Sequence, residues 1–233
     1  AVEEWGARAG TVVMLDPLDS AVLAMASYPT FDPNAFNDYP ASDQTNRAVS
    51  DSVEPGSTFK AITAAAVFEA SVVHPDDIFY CGHGSIVLGR TRIRDHKVFG
   101  ELSFREVIAF SSNVGVIEAS LMIGEQDFYD TILSFGFGSK TGIDLPGEHP
   151  GIVNDLESWT GLSKAYLSFG HEIAVSALQL TNAFAAIANG GRLNTPYLVR
   201  ALGTPDGEEV LPRPPPRAIL SPSTFSALRT ILE

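Results

Sequence analysis

The sequence has 233 residues, of which 45% are hydrophobic, and it carries a formal net charge of −13. This length and composition are typical of a globular protein with one large domain or two small ones. The negative charge argues against nucleic acid or an anionic membrane surface as the main partner, and no apolar run is long enough for a membrane-spanning helix.

The first half of the chain begins with strand patterns and continues into a helix. Residues 11–15 and 21–26 are apolar, β-favouring runs on either side of turn residues, which predicts a β-hairpin. Residues 28–51 are rich in Pro, Asn and Asp and are interpreted as an irregular loop. Apolar residues at helical spacing predict a helix over residues 57–70. Alternation over residues 86–94 predicts a short pair of strands.

The second half of the chain is mostly helical. Residues 103–124 show two helical patterns in succession, and residues 127–135 predict a further short helix. Residues 174–188 form a strongly apolar helix pattern, residues 198–202 predict a strand, and a last helix opens at residue 221. Strands, then a helical block, then a strand and a helix favour an α+β fold over an alternating α/β fold.

The strongest chemical signal is residues 54–60, which read EPGSTFK. A spacing of three places Ser57 and Lys60 on one face of a helix, within side-chain reach. A serine hydroxyl becomes a good nucleophile when a neighbouring base takes its proton, and lysine serves as that base when burial and the helix dipole disfavour its ammonium form. The Ser57 N–H can also face a developing oxyanion. The alternative is a capping serine beside a solvated lysine.

A second polar group, residues 111–113, lies at the predicted junction between two helices. The hydroxyl of Ser111 can pass a proton between Lys60, Ser57 and a leaving amine, and the amide of Asn113 can hold a substrate peptide group. The alternative is helix capping, because Ser and Asn are favoured at helix ends.

Together these motifs carry a resemblance, since Ser-x-x-Lys followed by a Ser-x-Asn-type triplet is a signature of penicillin-binding proteins and β-lactamases. Residues 54–60 resemble the nucleophile segment of class B penicillin-binding proteins, and residues 110–115 (FSSNVG) resemble their second motif. Residues 142–148 (GIDLPGE) and 188–191 (ANGG) resemble two further stretches of the same domain. The second motif with residues 135–138 (FGFG) is more similar to the septal, division-type branch than to the elongation branch.

The resemblance implies a serine β-lactamase/DD-peptidase-like fold, in which an antiparallel sheet adjoins a helical subdomain. It also implies a D,D-transpeptidase that cross-links peptidoglycan. In such an enzyme Ser57 would attack the D-Ala–D-Ala amide with Lys60 as its partner base. Ser111 would pass a proton to the leaving D-Ala, and Asn113 would orient the substrate backbone. No metal and no organic cofactor are implied, because a covalent intermediate already divides the reaction into two easier steps.

The resemblance further implies the surroundings of the protein. The expected partners are peptidoglycan stem peptides, β-lactam antibiotics and membrane proteins of the division complex, with no nucleic acid. The expected place is the extracytoplasmic face of the cell membrane, with anchoring by an N-terminal helix that would lie upstream of residue 1.

The third family motif, Lys-Thr-Gly, needs separate treatment. Residues 140–142 have these letters, but they precede the segment 188–191, whereas the catalytic triplet of the family follows it on a strand. We therefore interpret residues 140–142 as a surface turn and expect the true motif strand after Glu233. Residues 1–233 are then a partial transpeptidase domain without its C-terminal sheet strands, and whether this piece alone is active stays open.

Two rival functions share the same sequence evidence. One is a hydrolase of the same fold, a D,D-carboxypeptidase or β-lactamase, in which water replaces the acceptor amine. The other is a division-complex binding module that keeps the fold without turnover, which the missing third motif favours.

Cysteine and histidine give no competing site. Cys81 is the single cysteine, so a disulfide within the chain is excluded, and Cys81 with His83 lacks the second ligand pair of a zinc site. Asp95 is interpreted as a turn residue. The five histidines are interpreted as structural or solvated, and His171, in a loop before the apolar helix, is the only one singled out as a candidate. They are His74, His83, His96, His149 and His171.

Overall fold

The fold combines short helices with paired strands, and the computed structural model describes residues 1–233. The helices are α1 (Arg47–Ser50), α2 (Lys60–Glu69), α3 (Phe104–Ala109), α4 (Asn113–Leu121), α5 (Glu125–Ser134), α6 (Ser163–Ser168), α7 (Ala177–Ala188) and α8 (Pro222–Leu232). The strands are β1 (Gly10–Leu15), β2 (Val22–Tyr28), β3 (Ile78–Tyr80), β4 (Ser85–Leu88), β5 (Thr91–Arg94), β6 (Glu101–Ser103), β7 (Ile152–Val153), β8 (Ile173–Ala174), β9 (Arg192–Leu193), β10 (Ala201–Thr204), β11 (Gly207–Val210) and β12 (Arg217–Ala218).

All strand pairs are antiparallel: β1 with β2, β3 with β6, β4 with β5, β7 with β8, β9 with β12 and β10 with β11. This mixture of helices and antiparallel strands confirms the predicted α+β class. The predicted N-terminal hairpin is also confirmed, with Met14 opposite Ala24 and a register shift before Leu15. A small apolar cluster that includes Leu15, Val49 and Leu178 packs this hairpin against α1 and α7.

Helix α2 is the central helix of the core. Every residue from Lys60 to Phe68 is buried, which is the pattern of a helix surrounded by other elements rather than one with a single apolar stripe. Small residues such as Ala61, Ala64 and Ala65 leave room for α4, α5 and α8 to pack closely around it. One consequence is chemical: a lysine at the first position of this helix is carried into the core. No helix here has both the length and the apolar character that crossing a bilayer requires.

Several predicted boundaries are corrected by local hydrogen bonding. The apolar helix predicted over residues 174–188 begins at Ala177, because a capping box stops it there. The Ser176 hydroxyl accepts a hydrogen bond from the Gln179 N–H at 3.1 Å, and the Gln179 side chain accepts from the Ser176 N–H at 2.9 Å. The residues before the cap are free to form β8.

Two further predictions were too coarse. The segment predicted as an irregular loop, residues 28–51, contains a 3-10 helix, Pro33–Asp38, and the short helix α1. The strand predicted over residues 198–202 begins only at Ala201. The backbone before it bonds to the Asp144 side chain and not to a neighbouring strand. Its carboxylate accepts hydrogen bonds from the N–H groups of Leu198 and Val199, each at 2.8 Å.

Candidate active site

Ser57 lies on a 3-10 turn, Gly56–Phe59, that leads directly into α2. Gly56 has a φ of 57°, a left-handed conformation that glycine adopts without strain. The sequence predicts an α-helix from Ser57, but the helix begins at Lys60, whose N–H bonds to the Ser57 carbonyl in the tighter pattern of a 3-10 turn. Ser57 is exposed, whereas Phe59 and Lys60 are buried. The turn therefore joins an accessible hydroxyl to the protein interior.

Lys60 joins the two predicted motifs. It is only 2% exposed. Its Nζ donates hydrogen bonds to the Ser111 carbonyl oxygen at 2.6 Å, to Ser111 Oγ at 2.9 Å and to Asn113 Oδ1 at 2.8 Å. These three acceptors match the three protons of a lysine ammonium group. Three of the four predicted site residues are thus in direct contact, and Ser57 makes no hydrogen bond to Nζ in this arrangement.

The environment of Lys60 shifts its equilibrium toward the neutral form. Burial lowers its pKa from 10.5 to about 8, and the nearby Asp95 carboxylate opposes part of that effect. A neutral amine has two N–H donors and one lone pair, so deprotonation must release one of the three acceptors. The lone pair is then available to accept a proton from a neighbouring hydroxyl. Lowering of the pKa by burial agrees with the sequence-based argument for a lysine base.

The loop between α3 and α4 carries three polar residues, of which one caps α4 and two bind Lys60. Ser112 is the N-cap of α4, and its hydroxyl accepts a hydrogen bond from the Gly115 N–H at 3.0 Å. The capping interpretation therefore applies to Ser112. Ser111 has a φ of 56°, and both of its oxygen atoms accept from Lys60. Asn113, the first residue of α4, is held on its other side, since its Nδ2 donates to the Arg94 carbonyl at 2.9 Å.

Asp95 is a residue of this site that sequence reasoning missed, because an acid after a short strand looks like an ordinary turn residue. Its carboxylate accepts hydrogen bonds from the Ser112 hydroxyl at 2.7 Å, the Val114 N–H at 3.1 Å and the Asn113 N–H. These donors lie at the N-terminus of α4, where a negative charge is stabilising. Asp95 thus fixes the loop that holds Lys60, and no local pattern in the sequence marks this role.

We expect Asp95→Asn to lower the pKa of Lys60 further. The variant keeps an oxygen acceptor but removes a negative charge that stabilises the ammonium form. The loss of charge at the start of α4 should also cost about 0.5–1 kcal/mol of unfolding free energy. The pKa is measured from the Lys60 ¹³Cε chemical shift as a function of pH. Asp76→Asn is the control, because Asp76 pairs with Arg105 at the surface. An unchanged Lys60 titration would contradict the assigned role of Asp95.

The triplet at residues 140–142 lies in a loop outside any helix or strand, in agreement with its interpretation as a turn. The loop closes around Glu148, whose carboxylate is buried. Glu148 accepts hydrogen bonds from the Thr141 N–H at 2.7 Å, from Thr141 Oγ1 at 2.6 Å and from the Gly142 N–H at 3.2 Å. The threonine of this triplet therefore stabilises the conformation of its own loop.

Cys81 lies beneath the loop between α3 and α4 and is surrounded by buried groups. The thiol is buried, burial raises its pKa, and the Ser112 hydroxyl approaches its Sγ at 3.5 Å. The five histidines differ in their surroundings. His83 lies beside the Tyr80 hydroxyl at 2.7 Å, and His149 accepts from the Gly151 N–H at 3.0 Å.

Known proteins match this chain along nearly its whole length. The family described as penicillin binding protein transpeptidase domain matches residues 10–233. Penicillin-binding protein PbpB of Mycobacterium tuberculosis is 36% identical over 231 residues, which cover 97% of this chain and 34% of that protein. Stage V sporulation protein D of Bacillus subtilis is 34% identical over 227 residues, which cover 95% of this chain and 35% of that protein. The chain spans about a third of the length of these curated relatives.

Solved structures share the backbone as well. Penicillin binding protein 3 from Mycobacterium tuberculosis in complex with aztreonam matches with a TM-score of 0.92 and 35% identity, over 99% of this chain and 52% of that one. The ampicillin complex of the same protein matches with a TM-score of 0.91, over 97% of this chain and 51% of that one. These likenesses confirm the predicted DD-peptidase-like fold. Since both the sequence and the backbone match from the first strand onwards, the chain belongs to the penicillin-binding protein transpeptidase family, as the class B resemblance predicts.

Proposed function

We propose that this chain carries the nucleophile and proton-transfer residues of a serine D,D-transpeptidase, which cross-links peptidoglycan stem peptides and is acylated by β-lactams. The observation that carries the proposal is the buried Lys60 amine, held by Ser111 and Asn113 one turn from the exposed Ser57. A desolvated amine with a lowered pKa, close to an accessible hydroxyl, suits general-base activation of a serine. Probable peptidoglycan D,D-transpeptidase PenA of Neisseria flavescens, 32% identical over 211 residues, supports the substrate class.

In the proposed acylation step, neutral Lys60 takes the proton of the Ser57 hydroxyl as Oγ attacks the carbonyl carbon of the D-Ala–D-Ala amide. The C–N bond of the amide then breaks, and the terminal D-Ala leaves as an amine. Its nitrogen receives a proton from the Ser111 hydroxyl, which regains one from the Lys60 ammonium group through their hydrogen bond. The product is an ester between Ser57 and the penultimate D-Ala.

In the second step an amine of a neighbouring stem peptide attacks the ester carbonyl, forms the cross-link and releases the Ser57 hydroxyl. Lys60 accepts the proton that the attacking amine loses, and the ester oxygen takes it up on leaving. A β-lactam follows only the first step: its ring amide opens on Ser57, and all of its atoms stay attached to the enzyme. Asn113 orients the substrate backbone in both cases.

The wider setting follows from the substrate. Peptidoglycan stem peptides lie outside the cytoplasmic membrane, so the proposed site faces the extracytoplasmic side. The family resemblance adds an N-terminal membrane anchor and, as partners, membrane proteins of the division complex. The Lys-Thr-Gly strand stays a prediction for polypeptide beyond Glu233. The hydrogen bonds between Thr141 and Glu148 support this assignment, because through them the threonine of the triplet at residues 140–142 stabilises its own loop.

The proposal is tested by incubating the chain, and a version extended past Glu233 in its natural sequence, with a β-lactam. Mass spectrometry should find an increase equal to the whole antibiotic, located on the peptide that contains Ser57. Rapid loss of the adduct to water would instead favour the rival hydrolase. Absence of any adduct from the extended chain, or an adduct on another residue, would contradict the proposal.

A further inference from the structure

The turn that carries Ser57 is attached to a distant segment of the chain by backbone hydrogen bonds. Val53 and Val175 exchange two of them, each at 3.0 Å, in an isolated antiparallel bridge. The Gly56 N–H donates to the Gly170 carbonyl at 3.1 Å. The residues directly before the nucleophile are therefore held by residues 170–175, which run from the end of α6 to just past β8.

Side chains reinforce this attachment at Glu54. Glu54 Oε2 lies 2.8 Å from His171 Nδ1, and Glu54 Oε1 accepts a hydrogen bond from the Glu172 N–H at 3.1 Å. A carboxylate has no proton to give, so Nδ1 of the imidazole is the donor in the first contact. Both oxygen atoms of Glu54 are thus used, three residues ahead of Ser57.

The two segments approach each other with no spare room. A Cβ atom added at Gly170 would lie 2.2 Å from the Gly56 carbonyl oxygen and 2.6 Å from the Gly56 nitrogen. Both glycines have positive φ angles, 57° at Gly56 and 81° at Gly170. A displacement of the Gly170 segment must therefore be transmitted to the turn that begins at Gly56.

His171 itself is well placed to hold its partner. Its ring packs against Phe169, with 5.0 Å between the ring centroids. The end of α6 is tied to α2, because the Thr63 hydroxyl donates to the Ser168 carbonyl at 2.8 Å. The imidazole consequently rests on a segment that is fixed to the same helix that carries Lys60.

From these contacts we infer that Glu54 and His171 form a positioning pair for the nucleophile. Their hydrogen bond holds the turn so that the Ser57 hydroxyl meets the reacting carbonyl in the attacking geometry. The inference rests on the proposed function, because it concerns the orientation of the same serine. Neither residue touches the reacting atoms, so the pair acts on the rate of acylation and not through chemistry of its own.

The matching of side chains gives a sharp test. An asparagine amide nitrogen lies the same number of bonds from Cα as imidazole Nδ1, so His171→Asn can still donate to Glu54. His171→Ala cannot. Both variants lose the ring that packs on Phe169, and their comparison therefore isolates the hydrogen bond. Arg200→Ala is the matched control, since it removes a similarly exposed partner of a carboxylate, Glu208, at 2.9 Å on the β10–β11 hairpin.

The measured quantities are the acylation rate at saturating β-lactam, the apparent dissociation constant of the antibiotic, and the melting temperature. We expect His171→Ala and Glu54→Ala each to slow saturated acylation about tenfold, because a small misplacement of a reacting group is costly. The double variant should be no slower than Glu54→Ala, since that substitution already removes the hydrogen bond to His171. His171→Asn should recover most of the rate at the same melting temperature as His171→Ala, and Arg200→Ala should match the wild type.

Equal rates in wild type and His171→Ala would overturn the inference, as would a His171→Asn rate no better than that of His171→Ala. A loss confined to the dissociation constant would overturn it too, because positioning acts on the chemical step. Failure of the proposed function looks different: the wild-type extended chain would then not be acylated, or Ser57→Ala would still be acylated. In that case the pair has no reaction to position and the inference fails with it.

Discussion

Replacing Lys60 with methionine is expected to slow acylation of Ser57 by about 10²–10⁴-fold, the range that a positioned general base contributes. Methionine is apolar and of similar length, so it can occupy the buried position without a proton-accepting group. The Ser57 hydroxyl would then have to lose its proton to water during attack. The acylation rate is measured by quenching the reaction with a fluorescent penicillin at timed intervals and quantifying the labelled protein. Ser57→Ala gives the baseline for non-specific labelling.

The pH dependence gives this prediction its specificity. The amine of Lys60 must be neutral to accept a proton, so wild-type acylation should rise with pH and level off above about pH 8. In Lys60→Met this inflection should be absent. Lys164→Met is the matched control, because Lys164 on α6 also donates to a backbone carbonyl, that of Ile123 at 2.7 Å. An inflection that persists in Lys60→Met would assign the titration to another group.

The same pKa shift must appear in protein stability. Unfolded chains keep the Lys60 pKa near 10.5, so between about pH 8 and 10.5 the unfolded state binds more protons than the folded state. Wild-type unfolding free energy should therefore rise through this window relative to Lys60→Met, by about 3 kcal/mol at roughly 1.4 kcal/mol per pKa unit. Below pH 8 the cost of the buried charge is constant. Urea unfolding of both proteins at the two ends of the window checks the difference, and a constant difference would contradict it.

Gly170→Ala is expected to have the second largest effect, on stability and acylation together. The added Cβ would overlap the Gly56 carbonyl oxygen, and the left-handed φ of 81° disfavours any side chain. Backbone atoms cannot yield as a flexible side chain can, so we expect a loss of about 2–4 kcal/mol of unfolding free energy from overpacking and strain. Because Gly56 adjoins Ser57, the displaced turn should also lose most of its acylation.

Gly161→Ala provides the control for this substitution. An added Cβ at Gly161 would meet no other atom within 4 Å, so its free energy of unfolding should change little. Denaturant unfolding and acylation rates are compared for the two variants. If Gly170→Ala folds and reacts like Gly161→Ala, the close approach between the two segments is not a constraint on the nucleophile.

The parts of the site that could be predicted from sequence depend on local spacing. Ser57 and Lys60 are one turn apart, and the position of residues 111–113 between two helical patterns follows from periodicity alone. The structure brings Lys60 into contact with Ser111 and Asn113, although their catalytic roles stay predictions. The start of α7 could also have been predicted from the sequence, because Ser176 and Gln179 have the spacing of a capping box.

The parts that could not be predicted depend on contacts between segments far apart in the chain. Asp95 reaches the α4 N-terminus only because β5 ends beside it. Glu54 meets His171 only because the backbone on either side of His171, at Gly170 and Val175, bonds to the nucleophile segment. An acid before a proline and a histidine in a loop carry no local sign of such a partner. The left-handed φ of Ser111 is equally hidden, since serine rarely adopts it.

The two anchored ends of Asn113 decide what kind of group the site can recognise. Its amide oxygen is taken by Lys60, and one proton of its amide nitrogen is taken by the Arg94 carbonyl. The second N–H proton takes part in neither bond, whereas the amide oxygen already accepts from a cationic donor, so this residue serves a ligand better as a donor than as an acceptor. Compounds that present a carbonyl oxygen at that point should be selected over those that present an N–H, and inhibitor libraries can be sorted on this polarity before any screening.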